Sequence, residues 1–374
     1  MTLEDIRKEI DEIDSQLLPL FLRRMDCAKQ VAAIKKEEGL PVLNTKREGE
    51  ILDRIAAKGG EYSGQARILY MNLMDMSRAL QHSLLGSGKD LRDQIEQAGT
   101  APQSTTNIAC FGVSGSYSHE AVMHLYPNCT PKFYPAFADI FRAVERGEAD
   151  LGLMPVENSS AGSVSEVYDL ILKYRYYIVA ATTLHVHHCI AAMPGTRLSD
   201  LHAVYSHPQG LAQCSAFTKE HHLEASVCSS TSAAAKAVAG RKEPGIAAIC
   251  SEQAAEEYGL EILQRDIQNT ANNCTRFIVI SRTLFIPEDA QKISLCFSVP
   301  HTTGTLYGVL ARFATAGLNL TKIESRPIAG RNFEYDFYLD FSGNIRQSNT
   351  LDLLCALRDE LQRFSFLGNY IEKD

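Results

Sequence analysis

The stretch IACFGVSGSYSHEAV, residues 108–122, sets a short apolar run before a small polar loop and an amphipathic segment. A short apolar run bounded by Gly and Ser is typical of a buried strand, and the segment after the loop has helical spacing. The same strand–loop–helix order recurs three times, with polar loops that begin at residues 157, 207 and 230. Strands that alternate with helices predict an α/β fold.

Each of these four loops carries Ser, Thr, Asn or Gln where a helix would begin. Free backbone N–H groups at a helix start can bind an anion, and ligands of such sheets bind where the loops converge. Ordinary N-capping explains any single loop better, but four loops of one type favour a carboxylate-bearing ligand. No nucleotide-binding motif occurs and Lys is absent from all four loops, so we expect no cofactor.

The stretch NNCTRFIVIS, residues 272–281, places Thr275 and Arg276 directly before an apolar run. The run predicts a further buried strand, with these two polar residues at its N-terminal end. Arg276 could bind a substrate carboxylate or could equally bridge to an Asp or Glu.

The composition of the 374-residue chain predicts three domains and excludes several kinds of partner. A net charge of −8 without a basic stripe argues against nucleic acid. Ten Cys without a C-x-x-C motif, Cys27 among them, read as reduced core thiols. An acidic N-terminus and the lack of an 18-residue apolar run predict a cytosolic protein without a membrane partner. His185 and His187 would share a strand face, but no third ligand is recognisable, so we expect no metal.

The first ninety residues predict three helices. Apolar residues recur at helical spacing from Leu3 for about 33 residues, and further helices are predicted at 46–58 and 63–85. The first helix is too long for its own two neighbours to cover, so we expect it to pair with the same helix of a second chain.

Charged and polar residues on these helices could be solvated, or they could form a site. Arg24 and Lys35 lie on one face, as do Ser77 and Gln81. Thr45 and Glu48 have the spacing of a capping box, which would occupy the Glu48 carboxylate.

In sequence order and spacing, this segment resembles the all-helical chorismate mutase domain. The matching positions are Arg7, Arg24, Lys35, Asn44, Arg47, Glu48, Ser77 and Gln81, with Asn44 where that family often has Asp. The resemblance implies that Arg7 of a partner chain and Arg24 hold the two substrate carboxylates. It also implies that Lys35 and Gln81 donate hydrogen bonds to the ether oxygen and that Glu48 contacts the ring hydroxyl.

The α/β region resembles prephenate dehydratase through the motifs GSYS, PVENSSAG, YSHPQ, SSTSAA and NCTRF, which stand in the family's order. The resemblance implies two lobes like those of periplasmic binding proteins, with the substrate in the cleft. Thr275 would contact or protonate the departing hydroxyl. The polar surroundings would come from Glu157, Asn158, Ser206 and Gln213, with Ser118, Ser230, Thr231 and Arg276 as further binding residues.

From Lys292 the pattern predicts a βαββαβ string, which is a ferredoxin-like α+β domain. It resembles the ACT regulatory domain of phenylalanine biosynthesis enzymes. The resemblance implies an effector site for L-phenylalanine built from two short runs, Gly304, Thr305, Leu306 and Tyr307 with Glu324, Ser325, Arg326 and Pro327.

We therefore expect a helical domain at 1–88, a linker at 89–106, a dehydratase domain at 107–285 with its second lobe at about 184–264, and an ACT domain at 290–374. Together the resemblances imply a bifunctional enzyme that converts chorismate to prephenate and prephenate to phenylpyruvate. Phenylalanine would inhibit it, and it would be a dimer or tetramer. The alternatives are a dehydratase with an inactive mutase domain and a non-enzymatic amino-acid-binding protein.

Overall fold

The chain forms two compact units. The computed structural model describes residues 1–102, 104–270, 272–328, 330–331 and 333–373. One unit combines Met1–Gln97 with Ile293–Phe366, and the other combines Ala98–Lys292 with Leu367–Asp374.

The secondary structure follows the alternation that the sequence predicts. The helices are α1 (Leu3–Glu38), α2 (Thr45–Lys58), α3 (Ser63–Leu85), α4 (Lys89–Glu96), α5 (Tyr117–Leu125), α6 (Phe137–Glu145), α7 (Ser165–Tyr174), α8 (Pro208–Gln213), α9 (Ser215–Glu220), α10 (Thr231–Arg241), α11 (Glu252–Glu257), α12 (Thr305–Thr315) and α13 (Ser348–Glu360). The strands are β1 (Asn107–Phe111), β2 (Thr130–Tyr134), β3 (Leu151–Asn158), β4 (Gly162–Ser163), β5 (Tyr177–His185), β6 (Cys189–Ala192), β7 (Ala203–Ser206), β8 (Glu224–Val227), β9 (Ile246–Cys250), β10 (Glu261–Gln264), β11 (Cys274–Ser281), β12 (Lys292–Ser298), β13 (Asn319–Pro327), β14 (Tyr335–Ser342) and β15 (Arg363–Lys373).

The N-terminal part of the first unit is helical, as predicted. Helix α1 begins with a capping box, in which Thr2 and Asp5 each accept the other's backbone N–H, and it ends at Gly39 in the left-handed conformation. Its 36 residues extend for about 54 Å at 1.5 Å per residue. Helix α3 has the predicted bounds, and α2 begins one residue earlier than predicted.

Helix α1 leaves most of its apolar side chains exposed. Only Ala28 and Ala32 of this helix are buried. The exposed large apolar residues on it are Leu3, Ile6, Ile10, Ile13, Leu17, Leu18, Leu20, Leu22, Val31 and Ile34. An exposed apolar face of this length marks an interaction surface. Pairing with a second chain remains a prediction.

The segment predicted as a linker contains helix α4. Its buried residues Leu91 and Ile95 lie four apart, so one face of the helix packs inward. Gly88 precedes it with a φ of +70°, and a Cβ there would lie 2.4 Å from the Cβ of Cys355 on α13. The polar composition of the segment did not predict this amphipathic helix or the close packing at Gly88.

The C-terminal segment has the predicted βαββαβ order, from β12 to β15. Strands β13 and β14 pair antiparallel, with Asn319 opposite Ser342 and Pro327 opposite Tyr335. Alternate residues of β13 are exposed, which is the pattern of a strand with one solvated face.

The second unit has two lobes. In the first lobe, β1 pairs parallel with β2 and β3, while β11 runs antiparallel between β3 and β5. The end of β15 adds to β5 in parallel. The second lobe has its own sheet in the order β10-β6-β9-β7-β8. Apolar clusters of Ile, Val, Leu, Ala and Cys fill each lobe, so the two lobes have separate cores.

Close contacts hold the two lobes together beside the cleft. Gly115 in the loop after β1 has a φ of +76°, and a Cβ there would lie 2.9 Å from the Cα of Ala254 in the second lobe. The Ser251 hydroxyl donates to the carbonyl oxygen of Gly115 at 3.1 Å, and Tyr258 donates to that of Ser114, also at 3.1 Å. Glycine is needed at position 115 because a side chain would separate the lobes.

All ten Cys are free thiols, and most of them are buried. Cys27 departs most from the prediction of core thiols, because it lies exposed on α1, and Cys129, Cys228 and Cys274 are only partly buried. Among the residues that the structure describes, no helix combines the length and apolar character needed to span a bilayer.

Candidate active sites

The four polar loops of the second unit converge on one cleft between the lobes. The N-termini of α5, α7, α8 and α10 all contribute to a cavity of about 340 Å³. The predicted site residues on its wall are Ser118, Glu157, Asn158, Gln213, Ser230, Thr231 and Thr275. No Lys or Arg is found among the described residues that line it. An anion there would be held by hydroxyls, amides and helix N-termini rather than by side-chain cations.

Asn158 fixes the orientation of the Thr275 hydroxyl. The Asn158 Oδ1 accepts the backbone N–H groups of Ser160 at 3.0 Å and Ala161 at 2.9 Å. Because backbone N–H groups only donate, Nδ2 must be the atom that faces Thr275, and it donates to the Thr275 Oγ1 at 2.9 Å. The Thr275 proton is therefore not used in this bond. It is available to a group in the cleft.

Arg276 lies outside the residues that line the cleft. Thr275 and Phe277 line the cavity, and side chains alternate between the two faces of a strand. Arg276 instead forms an ion pair with Glu372 and donates to the Tyr370 hydroxyl at 2.9 Å. The charges of Arg276 and Lys292 outweigh burial and lower the pKa of Glu372. The structure therefore has the bridge to an acidic residue that the sequence left open, and this corrects the assignment of Arg276 to substrate binding.

Ser206 also departs from its predicted place. It is fully buried at the end of β7, and its hydroxyl donates to the carbonyl oxygen of Ile249 at 2.7 Å. It packs under Gly210, where a Cβ would lie 2.7 Å from the Ser206 Oγ. Ser206 supports the floor of the cleft without lining it.

His188 and Tyr117 line the cleft but were not among the predicted site residues, although Tyr117 lies within the GSYS motif. The His188 Nε2 lies 2.9 Å from the Gln213 Oε1, and its Nδ1 lies 3.3 Å from the Tyr117 hydroxyl. Burial lowers the pKa of His188 below its ordinary value, against the raising effect of the bond to Gln213. The imidazole is therefore neutral near pH 7. The sequence gives His188 no role beyond its place in the run HVHHC beside His185 and His187, where we expect no metal. No group of three or more potential metal-binding side chains occurs in the described part of the chain.

The helices of the first unit enclose a second cavity, of about 220 Å³. The predicted residues on its wall are Arg24, Lys35, Asn44, Arg47, Glu48, Ser77 and Gln81. Arg24 donates to the Ser77 hydroxyl at 2.5 Å and to the carbonyl oxygen of Leu73 at 2.6 Å. Lys35 donates to the carbonyl oxygen of Val42 at 2.5 Å. Burial lowers the pKa of Lys35, against the raising charge of Glu48.

The predicted capping box at Thr45 and Glu48 is wrong. Asn44 caps α2 by accepting the backbone N–H of Arg47 at 3.0 Å. Glu48 instead forms an ion pair with Arg78, a residue that the sequence patterns did not single out. The Asn44 side chain therefore has a structural role at the helix start, and the Glu48 carboxylate is not tied to that helix end.

Two family models match the chain over the two units. The model for chorismate mutase type II matches residues 6–82, and the model for prephenate dehydratase matches residues 108–284. The bifunctional chorismate mutase/prephenate dehydratase of Escherichia coli (strain K12) is 33% identical over 375 residues, which covers 98% of this chain and 95% of that protein. The chain belongs to this bifunctional chorismate mutase/prephenate dehydratase family.

Two further similar proteins are named as dehydratases. Arogenate dehydratase 3 of Arabidopsis thaliana is 35% identical over 364 residues, covering 92% of this chain and 84% of that protein. The prephenate dehydratase of Arthrobacter aurescens, solved in complex with L-Phe, has a TM-score of 0.65 and 31% identity, covering 71% of this chain and 89% of that chain. The helical cavity is thus the candidate mutase site, and the cleft between the lobes is the candidate dehydratase site.

The remaining predicted residues lie outside these two cavities. Arg7 is exposed on α1 and is absent from the wall of the mutase cavity. The first effector motif begins at Gly304, with a φ of +86°, and forms the start of α12. The second motif forms the end of β13, where the Glu324 Oε2 lies 3.4 Å from the Lys322 Nζ. Tyr307 is half exposed.

Proposed function

We propose that the chain catalyses two consecutive reactions, chorismate to prephenate at the helical cavity and prephenate to phenylpyruvate in the cleft. The observation that carries the proposal is the Thr275 hydroxyl. It accepts a hydrogen bond from the Asn158 Nδ2, so its own proton can still be donated to a ligand. We also propose the domain limits 1–88, 107–285 and 290–374, and a reducing, cytosolic setting, which the ten free thiols favour.

The dehydratase reaction releases CO₂ and the ring hydroxyl, and the hydroxyl needs a proton or a hydrogen bond to leave. Thr275 supplies that hydrogen bond. A Thr hydroxyl is a weak acid, so orientation and the formation of the aromatic ring supply much of the driving force. The carboxylate that leaves as CO₂ must not be stabilised strongly, and a cleft lined by hydroxyls and helix N-termini suits this better than one with an Arg or Lys.

The mutase reaction is a Claisen rearrangement, which needs a compact substrate conformer and stabilisation of charge on the breaking ether oxygen. Lys35 and Gln81 lie on the wall of the helical cavity and are the proposed donors to that oxygen. Arg24 is a proposed partner of one substrate carboxylate, with Arg7 of a second chain for the other, and Arg47 is a further proposed binding residue. Arg7 would complete the site from a second chain, since the apolar face of α1 offers a surface for one.

The C-terminal segment is proposed to be an ACT domain that binds L-phenylalanine and inhibits the enzyme. Its βαββαβ order and the motifs at residues 304–307 and 324–327 support this. The L-Phe complex of the Arthrobacter aurescens relative agrees with such an effector.

The test is an assay of the purified chain with chorismate and, separately, with prephenate, in which phenylpyruvate is measured by its absorbance in alkali. Arogenate carries an amino group where prephenate has a keto group, so it is assayed in parallel for phenylalanine. We expect turnover of chorismate and prephenate. Turnover of prephenate but not of chorismate would indicate an inactive mutase domain. No turnover of chorismate, prephenate or arogenate would indicate a binding protein.

A further inference from the structure

A buried cluster of charged side chains joins the mutase site to the C-terminal βαββαβ segment within the first unit. It lies among α2, α3, α12 and α13. Its members are Glu48, Asp75, Arg78, His82, Arg312 and Glu360.

Arg78 is the centre of the cluster. One end of its guanidinium pairs with Glu48 of the mutase cavity, the other terminal nitrogen pairs with Asp75, and its Nε lies 3.2 Å from the Glu360 Oε1. The Arg78 side chain is only 10% exposed. A planar guanidinium can hold several carboxylates at fixed angles, which a Lys ammonium cannot do.

Glu360 ties the cluster to the end of α13. Its Oε1 also lies 2.8 Å from the His82 Nε2, and its Oε2 lies 2.5 Å from Arg312 on α12. Burial alone would raise the pKa of Glu360, but the bond to His82 and the charges of Arg312 and Arg78 lower it to about 2. The carboxylate is therefore charged at neutral pH, and it attracts Arg78 at Nε while Glu48 pairs with a terminal nitrogen of the same guanidinium.

Arg78 can pair with Glu48 and still leave hydrogen-bond acceptor sites on the Glu48 carboxylate. A carboxylate has about four lone-pair sites, so Glu48 can accept from Arg78 and still accept a substrate hydroxyl. Its direction, however, depends on where the guanidinium lies. Removing one partner from a buried charge cluster leaves a buried charge without its counter-charge, and the remaining side chains then change position.

We propose that Arg78 is a positioning residue for the Glu48 carboxylate, and that Glu360 of the βαββαβ segment sets the position of Arg78. Mutase activity then depends on how this segment packs on α3. The inference rests on the proposed mutase function of the helical cavity and goes beyond it, because it assigns a C-terminal residue to the mutase site.

A double-mutant cycle tests this coupling. The variants are Glu360→Gln, Glu48→Gln and the pair together, with mutase kcat and KM measured on the full chain. We expect Glu360→Gln to lower kcat/KM by about tenfold when Glu48 is present and by less than about twofold when it is absent, a coupling of at least about 1 kcal/mol. An equal loss in both backgrounds would show that Glu360 acts only through general stability and would overturn the proposal.

Arg78→Lys is the second variant, because it keeps the charge and has the better chance of folding. We expect a mutase loss similar to that of Glu360→Gln, with far-UV circular dichroism and dehydratase activity unchanged. Unchanged mutase kcat/KM in a folded Arg78→Lys chain would overturn the proposal.

Arg92→Met is the matched control. Arg92 on α4 pairs with Asp352 of α13 at 2.5 Å, so it also ties the C-terminal segment to the N-terminal part of the first unit, but without touching Glu48. We expect its mutase kinetics to equal those of the unmodified chain, and a loss as large as that of Glu360→Gln would overturn the proposal. No mutase activity in the unmodified chain would refute the proposed function itself, whereas a Glu48→Gln variant as active as the unmodified chain would refute the positioning role alone.

Discussion

Replacing Thr275 with Val removes one hydroxyl from the dehydratase cleft and keeps the shape of the side chain. Removing one preorganised donor that acts on charge in a transition state lowers kcat by about 10² to 10³, which is about 3 to 4 kcal/mol. The cost in stability should be small, about 1 kcal/mol. The Asn158 Nδ2 loses Thr275 as an acceptor but keeps the Asn273 Oδ1 at 2.9 Å and the Cys274 carbonyl oxygen at 3.1 Å. The fold should therefore survive while the chemistry fails.

The assay follows phenylpyruvate formation from prephenate, with chorismate turnover by the same sample as the internal reference. Thr182→Val is the matched control, because Thr182 lies opposite Phe277 on the neighbouring strand, is fully buried and has no hydrogen-bond partner for its hydroxyl among the described residues. This control should retain full activity. A Thr275→Val variant with more than about a tenth of the normal kcat would refute the role assigned to the hydroxyl. Equal loss of both activities would indicate misfolding.

The remaining predictions concern regulation, acid stability and assembly. Glu324→Ala should relieve inhibition of the dehydratase by phenylalanine, measured as activity against phenylalanine concentration; unchanged inhibition would place the effector site elsewhere. The pKa of Glu360 is lowered from 4.5 to about 2, so its charge stabilises the fold above pH 4.5 by up to about 3 kcal/mol, and this is lost as the pH falls toward 2. In urea unfolding curves, Glu360→Gln should be less stable than the unmodified chain at pH 7, with the difference narrowing below pH 4.5; a pH-independent difference would contradict this. Ile13→Asp, on the exposed face of α1, should give monomers by light scattering and lose mutase but not dehydratase activity, and a monomeric unmodified chain would contradict the shared site.

Most secondary-structure elements could be predicted because their signals are local. The helical spacing of α1 and α3, the four strand–loop–helix units and the βαββαβ order all follow from periodicity and turn residues within short windows. The convergence of the loops could be predicted only in pairs, because β1 and β3 neighbour each other in one sheet and β7 and β8 do so in the other. That both pairs face one cleft depends on how the two lobes pack. Strand alternation offered an unused signal for Arg276, since a strand with Thr275 in the cleft directs the next side chain to its other face.

The capping of α2 shows where local patterns become ambiguous. Asn44 and Thr45 are both good N-cap residues, and the choice between them depends on where the first turn begins. Once Asn44 takes that position, Glu48 is left to pair with Arg78, thirty residues away in the sequence. No spacing rule relates these two residues.

The sequence by itself determined the element order, the two catalytic segments and the polar character of both sites, because these depend on residue type and short-range period. Only the tertiary structure decided that Thr275 receives a hydrogen bond from Asn158, that Arg276 pairs with Glu372 and that Glu48 connects through Arg78 to Glu360. These contacts join residues distant in the chain. Which groups meet there is set by strand register and helix packing, and the energy of a buried charge depends on the partners that packing supplies.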